Sequence, residues 1–157
     1  MSLDAKVVAN EVLNLGVRDS VSIQPMKLQK LMYLAHGWHL FFLNDPLISQ
    51  EIEAWKYGPV IPEIYREFKD FKSDAITRLA PVGETFLKPN QVQKNLLESV
   101  WNTYKEKGGI YLSMLTHEPG SAWEIARRDC RAWYSPVIPN TLIREEFARR
   151  KQAAARR

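Results

Sequence analysis

The sequence predicts a mainly α-helical fold with a small β element (α+β), organised as one compact domain around a buried central helix. A chain of 157 residues with 45% hydrophobic and 25% charged side chains is typical of one globular domain. Residues 25–43 form a helical pattern that is apolar on nearly every side. A short extended pattern follows at residues 47–56. We place the domain at residues 1–148 and a flexible basic tail at residues 149–157.

The first helix is expected over residues 3–15, with Ser2 as its N-cap and Gly16 placed to end it. Apolar side chains recur along one face of this segment at helical spacing. Residues 18–22 are expected to form a loop that leads into the central helix.

The central helix should begin at Pro25, because the missing N–H of a proline costs little at the first helical position. Turn-forming residues end it at 44–46. A helix that is apolar all round must be covered by protein or by lipid. Its apolar-rich part, residues 31–43, is shorter than the roughly 20 residues that a membrane span needs. We therefore expect the rest of the domain to surround this helix, with Trp38 in the core.

The extended segment at residues 47–56 separates two sets of side chains. One side carries Ile48, Ile52 and Ala54, and the other carries Glu51, Glu53, Trp55 and Tyr57. A turn is expected at the Gly-Pro pair of residues 58–59. Pro62 is suited to begin a third helix.

The second half of the chain predicts further helices. Residues 73–89 lack periodicity and are expected to form the longest loop. Asn90 and Gln93 have the spacing of a capping box, and the helix that they begin should end at residues 108–109.

Three shorter helical patterns complete the chain. A helix is expected over residues 110–117, and Ser121 and Glu124 have the spacing of a second capping box. The Val-Ile-Pro-Asn sequence at residues 137–140 leads into a final helix.

The net charge of +4 is concentrated at the C-terminal end. Residues 144–157 hold six basic and two acidic side chains, which accounts for the whole surplus. A nucleic-acid-binding domain usually carries a basic face built into its fold. We therefore favour a solvated basic end, and a nucleic-acid contact is the less favoured alternative.

A cytoplasmic location is expected, without membrane association. Polar residues interrupt any apolar run near the N-terminus, so no signal peptide is predicted. The single cysteine, Cys130, has no partner for an internal disulfide, which suits a reducing compartment.

Candidate metal ligands and catalytic groups are few. His36 and His39 share one helical side and His117 precedes a turn, but nothing nearby completes the three or four ligands of a zinc site. We expect the first two histidines to form hydrogen bonds at the edge of a packed helix. Glu51 and Glu53 lack a partnering base, and no signature of a catalytic cysteine surrounds Cys130. We predict no enzymatic activity, no metal and no cofactor.

Aromatic residues are the better candidates for a functional surface. Trp55, Tyr57, Trp133 and Tyr134 lie in strand or loop settings. Exposed aromatic side chains are the usual anchors of protein–protein interfaces. Together with two acidic neighbours they form the predicted partner-binding set: Glu51, Glu53, Trp55, Tyr57, Trp133 and Tyr134.

An ordered series of motifs resembles the Panacea domain family, which includes SocA-like antitoxins and phage-associated proteins. The series begins with Lys-Leu-Gln-Lys-Leu-Met-Tyr at residues 27–33 and Gly-Trp-His-Leu at 37–40. It continues with Glu-Ala-Trp at 53–55 and Tyr-Gly-Pro-Val-Ile-Pro at 57–62. Later matches lie at residues 112–123 and 137–147. The chain departs from the family by having Ala122 before Trp123, where proline is common, and in its spacing around residues 131–135.

The resemblance implies an antitoxin that neutralises a cognate toxin by direct protein–protein binding, as one half of a toxin–antitoxin system. It does not identify the toxin, because members of the family pair with unrelated ones. One branch of the family instead acts as a proteolytic adaptor that delivers its toxin to an AAA+ protease. A nucleic-acid-binding regulator that uses the basic C-terminus is a further alternative. No enzymatic reaction is implied.

Overall fold

The computed structural model describes residues 1–128 and 134–156 and confirms a mainly helical fold with a small β element. One 3-10 turn, at Lys69–Phe71, follows the third helix. The helices are α1 Ala5–Asp19, α2 Pro25–Leu43, α3 Pro62–Phe68, α4 Gln91–Tyr104, α5 Gly109–Thr116, α6 Ala122–Arg128 and α7 Asn140–Ala155. The strands are β1 Glu53–Trp55 and β2 Gly58–Val60.

Helix α2 is the buried centre of the domain, as predicted. Helices α1, α3, α4, α5 and α7 and strand β2 all pack against it. Residues 27–37 of α2 are all buried, including the polar side chains of Lys27, Gln29 and Lys30. In the described part of the chain, no helix has the length and apolar content needed to cross a membrane.

The last turn of α2 leaves the core at Phe42, contrary to the expectation that the rest of the domain surrounds the whole helix. That side chain is 58% exposed, and Trp38 is half-buried instead of central. Phe42 stacks on the outer side of Trp38 with 5.8 Å between ring centroids, and Trp38 packs edge-on against Phe147 of α7 at 4.9 Å. Leu40 is 5% exposed, so the core extends to this residue and ends before Phe42.

Helix α1 begins and ends later than predicted. Asp4, not Ser2, caps it by accepting the Lys6 N–H at 2.8 Å. The helix continues past Gly16 to Ser20, which adopts the left-handed conformation that ends it. Gly16 is buried at a close approach to Ile23, where an added Cβ would lie 2.7 Å from a methyl carbon. This glycine provides room for packing and does not end the helix.

Strands β1 and β2 form a tight antiparallel hairpin in which Ala54 faces Pro59. The connecting turn is at residues 56–57, so the prediction of a turn at residues 58–59 was wrong. Gly58 lies in the strand with a φ of 121°, which side-chain-bearing residues rarely adopt. The other edge of β1 is also paired, because the Ala54 N–H donates to Pro136 O at 2.8 Å.

The apolar side of the extended segment at residues 47–56 faces the core, as the alternation of its side chains indicates. Ile48, Ile52 and Ala54 are buried. A parallel bridge between Leu3 and Ile48 fixes the start of the extended segment against the N-terminal residues.

Capping chemistry was predicted correctly for α4 and only in part for α6. Asn90 and Gln93 form both hydrogen bonds of a capping box. Helix α4 nevertheless ends at Tyr104, and Gly108 becomes the N-cap of α5. At α6, Ser121 Oγ accepts the Glu124 N–H at 3.2 Å, but the Glu124 carboxylate accepts from Gly120 instead of Ser121.

Helix α7 is attached to the domain by a buried polar cluster, here called the Glu146 network. One carboxylate oxygen of Glu146 accepts from Tyr33 Oη at 3.0 Å and from the Ala122 N–H at 2.8 Å. The other pairs with Arg150 Nε at 2.8 Å, and Arg150 also donates to Leu115 O. Burial and the Glu146 carboxylate raise the pKa of Tyr33 well above its usual value, so its hydroxyl stays a donor.

The C-terminal basic residues are helical through Ala155. Arg149 donates to Gly120 O at 2.6 Å, and Arg150 belongs to the Glu146 network. Two of the tail's cations therefore contact the body of the domain. The flexibility proposed for residues 149–157 remains a prediction.

Candidate partner-binding surface

A largely apolar groove lies between the first half of α2, the hairpin and α3, and we call it the hairpin groove. Its cavity volume is about 420 Å³, within the range of ligand pockets, roughly 300–1,000 Å³. Residues from all three elements, together with Lys72 after the 3-10 turn, line it: Pro25, Met26, Leu28, Gln29, Lys30, Trp55, Lys56, Tyr57, Val60, Ile64, Tyr65, Phe68 and Lys72.

Aromatic side chains form the rim of this groove. Tyr57 is 62% exposed at the hairpin turn, with Lys56 Nζ 5.4 Å from the centre of its ring. Trp55 is half-buried and contacts Tyr65 edge-to-face at 4.9 Å. Its indole N–H donates to Glu53 Oε1 at 2.8 Å, which fixes the orientation of the ring.

The hairpin is held in place by side chains from α5 and α6. Ser113 Oγ donates to Tyr57 O at 2.7 Å, and Trp123 Nε1 donates to Trp55 O at 2.6 Å. Arg127 donates to Ala54 O at 2.8 Å. Because backbone carbonyls are the acceptors, these contacts fix the hairpin without using the side chains of Trp55 and Tyr57, which remain available to contact a partner.

Gln29 of α2 joins the central helix to the start of α3. Its side-chain amide donates to Ile61 O at 3.1 Å and accepts the Ile61 N–H at 2.9 Å. Both bonds are buried, so the groove wall opposite the hairpin is also preorganised.

Lys30 is a buried cation at the inner side of the groove. It is 2% exposed, and its Nζ donates to Pro59 O at 3.0 Å. Among the described residues no carboxylate forms an ion pair with it. Burial lowers the pKa of Lys30 to about 8. Gly58 makes this placement possible, because a Cβ there would lie 2.9 Å from the ammonium.

His117 follows α5 and lies close enough to Lys30 to feel the charge of its ammonium. Its ring contacts Trp123 edge-on at 4.0 Å, and its Nε2 is buried without a hydrogen-bond partner among the residues that the structure describes. Burial, Lys30 and Arg127 lower the pKa of His117, so the neutral ring is favoured.

The two histidines of α2 form hydrogen bonds, as predicted. His36 Nδ1 accepts the Ile48 N–H at 3.2 Å, so its Nε2 donates to Asn140 Oδ1 at 2.9 Å. Burial lowers the pKa of His36 to about 4. His39 Nδ1 bonds to Asp45 O. Across residues 1–128 and 134–156, no group of three or more histidine, cysteine or acidic side chains could hold a metal ion.

Comparison with known proteins identifies the family. The family model described as "Antitoxin SocA-like, Panacea domain" matches residues 28–124, more than half of the chain. The chain belongs to this family. It is 31% identical over 136 residues to Antitoxin SocA of Caulobacter vibrioides (strain NA1000 / CB15N). The alignment covers 79% of this chain and 70% of that relative. No solved structure matches the chain.

The Panacea domain match contains most of the groove. Residues 28–124 include α2 from Leu28, the hairpin, α3, α4 and α5, whereas α1 and α7 lie outside it. The resemblance inferred from the sequence motifs is confirmed. The motif at residues 57–62 forms β2 and the start of α3, which border the groove.

The structure of this Panacea domain brings four of the six predicted partner-binding residues together. Glu51 is exposed, Glu53 and Trp55 are half-buried, and Tyr57 is exposed, all in or beside the hairpin. Tyr134 is 46% exposed and precedes the segment that pairs with β1. Trp133 lies outside the described residues, as does Cys130. Whether these residues bind a partner remains a prediction.

Several groove residues were missed by the sequence analysis. Neither Tyr65 nor Lys30 was among the predicted partner-binding residues. The available signal was a lysine within a helix predicted to be enclosed on all sides. Such a lysine has to be buried, and buried cations are rare enough to mark a site for attention.

Proposed function

We propose that this protein is the antitoxin of a toxin–antitoxin system and neutralises a cognate toxin by direct binding. The proposed role is non-enzymatic and cytoplasmic. The observation that carries the proposal is the hairpin groove, an apolar and preorganised surface in a chain of the SocA-like antitoxin family. The relative named Antitoxin SocA supports the same role.

The geometry of the rim supports binding to another protein. Interface energy is concentrated in a few aromatic and arginine anchors near the centre of a contact. Tyr57, Trp55 and Tyr65 provide such side chains on elements fixed by hydrogen bonds. A rigid surface loses little conformational entropy on binding, so more of the contact energy appears as affinity.

Co-expression with the protein encoded by the neighbouring gene tests this proposal. We expect the neighbour alone to arrest growth, and co-expression of this chain to restore it. The two purified proteins should form a complex by size-exclusion chromatography and isothermal titration calorimetry. A neighbour that is not toxic, or toxicity that persists without complex formation, would overturn the proposal.

The same experiment separates direct neutralisation from proteolytic delivery. Under direct neutralisation, toxin levels measured by immunoblot stay constant while growth is restored. The purified complex should also inhibit the toxin without any protease present. Toxin that disappears only in cells with an active AAA+ protease would instead indicate an adaptor.

A further inference from the structure

The charges of the hairpin groove indicate what kind of segment it receives. We infer, on the basis of the proposed function, that the groove binds a segment of the toxin that combines apolar side chains with carboxylate groups. This assigns a chemical class to the partner surface, which the family relationship leaves open.

The first argument is the sign of the charge. Among the residues that the structure describes, every charged residue that lines the groove is a lysine: Lys30, Lys56 and Lys72. No ion pair joins any of the three to an acidic residue within the described parts of the chain. The neighbouring Glu53 carboxylate accepts the Trp55 indole N–H. The groove therefore presents positive charge without an internal counter-charge.

The second argument is the incomplete hydrogen bonding of Lys30. An ammonium carries three donors, and the described acceptor is a single carbonyl, Pro59 O. Removing a cation from water is costly unless a partner charge compensates it. A carboxylate that approaches along the groove would supply that compensation at a site where water is largely excluded.

The third argument is the apolar wall between the lysines. Leu28, Val60, Ile64 and Phe68 line the groove, and its volume of about 420 Å³ has room for large apolar side chains. A basic rim over an apolar wall complements an amphipathic acidic segment and repels a basic one.

Two synthetic fluorescent peptides test the inference. They share the same leucine and phenylalanine positions at helical spacing and carry either glutamate or lysine at all other positions. Fluorescence anisotropy should show tighter binding of the glutamate peptide to the full-length protein, and the preference should shrink as salt is raised. Equal binding, or a preference for the lysine peptide, would overturn the inference.

Charge reversal assigns the preference to the groove. The double variant Lys56→Glu/Lys72→Glu should bind the glutamate peptide and the toxin at least about tenfold more weakly. The matched control Lys88→Glu/Lys94→Glu changes the net charge equally at exposed residues outside the groove, and it should bind as the unaltered protein does. All four positions are on the surface, and thermal melts verify folding. Equal losses in the two variants would mean that only net charge matters and would refute the assignment.

The result is separable from the test of function. If the unaltered protein restores growth but reversal at Lys56 and Lys72 leaves the toxin complex intact, the inference fails and the antitoxin role stands. If the groove selects the glutamate peptide but no neighbour is neutralised, the groove chemistry stands and the proposed function fails.

Discussion

Two buried polar regions in this domain are built in opposite ways. In the Glu146 network, the carboxylate of Glu146 meets a guanidinium, a hydroxyl and a backbone N–H. At the hairpin groove, the ammonium of Lys30 meets one carbonyl, and the nearby His117 Nε2 has no described partner. Both regions contain charge removed from water. Within residues 1–128 and 134–156, only the first contains its own counter-charge.

The difference separates polar groups that hold the fold from polar groups available to a partner. A buried pair with complete hydrogen bonding is costly to break, because removal of one member strands the other. A buried cation without a counter-charge reduces stability as it stands, and a ligand that pairs with it recovers part of that loss. We therefore expect substitutions in the two regions to have opposite effects on stability and on binding.

The largest effect is expected from Glu146→Ala. This change leaves the Tyr33 hydroxyl and the Ala122 N–H without an acceptor and removes the nearer carboxylate partner of Arg150, so the free energy of unfolding should fall by about 3–5 kcal/mol. Urea denaturation followed by circular dichroism measures it. The neighbouring exposed Glu145→Ala is the matched control, with a change within about 0.5 kcal/mol. Similar losses in the two variants would show that the network contributes little.

Lys30→Met should raise the free energy of unfolding at pH 7, whereas Glu146→Ala lowers it. The folded protein binds the Lys30 proton only below pH about 8, whereas the unfolded chain binds it up to about 10.5. Between these values the unfolded state binds more protons, so the stability of the unaltered protein rises with pH, by about 3 kcal/mol in total. The methionine variant should be more stable at pH 7 and should lack this rise.

Denaturation at pH 7, 8 and 9.5 checks the Lys30 prediction, with exposed Lys94→Met as the control. The quantity to compare is the difference in the free energy of unfolding between the two variants at each pH. Both variants retain Tyr33, whose raised pKa makes stability fall with pH above about 10, so the difference cancels this contribution. The Lys30→Met variant should also bind the toxin more weakly. A variant that is less stable at pH 7, or that binds unchanged, would contradict the contrast between the two regions.

Tyr57→Ala should reduce binding without affecting the fold. The side chain is 62% exposed, and its stabilising contact with Ser113 uses the backbone carbonyl, which alanine retains. We expect a loss of about 2 kcal/mol in the binding free energy, roughly 30-fold in Kd by calorimetry. Phe86→Ala, an aromatic substitution in the long loop outside the groove, is the comparison. If both weaken the complex equally, the rim has no special role.

The smallest effect is expected from Arg144→Ala/Arg156→Ala. Both residues are exposed, and no described acidic side chain pairs with either, so stability and toxin binding should change by less than about 0.5 kcal/mol. Deletion of residues 149–157 should be far more harmful, because it removes Arg150 from the Glu146 network. Salt-dependent nucleic-acid binding that is lost in the point variant would instead support a regulatory role for the basic end.

Local signals in the sequence predicted the elements well, and partners distant in sequence explain the errors. Pro25, Pro62 and the Asn90–Gln93 capping box act within one helical turn, and each begins a helix as predicted. Gly16 and Gly58 were assigned to termini or turns, yet their roles come from Ile23 and Lys30, which approach them in the folded state.

The candidate site could be predicted only in part for the same reason. The alternation of residues 47–56 was sufficient to place Trp55 on the outward side, whereas the exposure of Tyr57 comes from the turn at residues 56–57. The burial of Lys30 could be inferred from its place in an enclosed helix, but the groove could not, because it requires α2, the hairpin and α3 to be assembled. The pairing of Tyr33 with Glu146 joins opposite ends of the chain, and no local pattern indicates it.

That long-range pairing has a consequence for synthesis on the ribosome. Helix α2 is complete once Leu43 has been added, but Phe147 and the other residues of α7 that cover it come about a hundred residues later. At roughly 5–20 residues per second, each nascent chain carries its central helix without that cover for about 5–20 s. The interval in which a newly made molecule is most prone to aggregation therefore ends only when the last helix emerges.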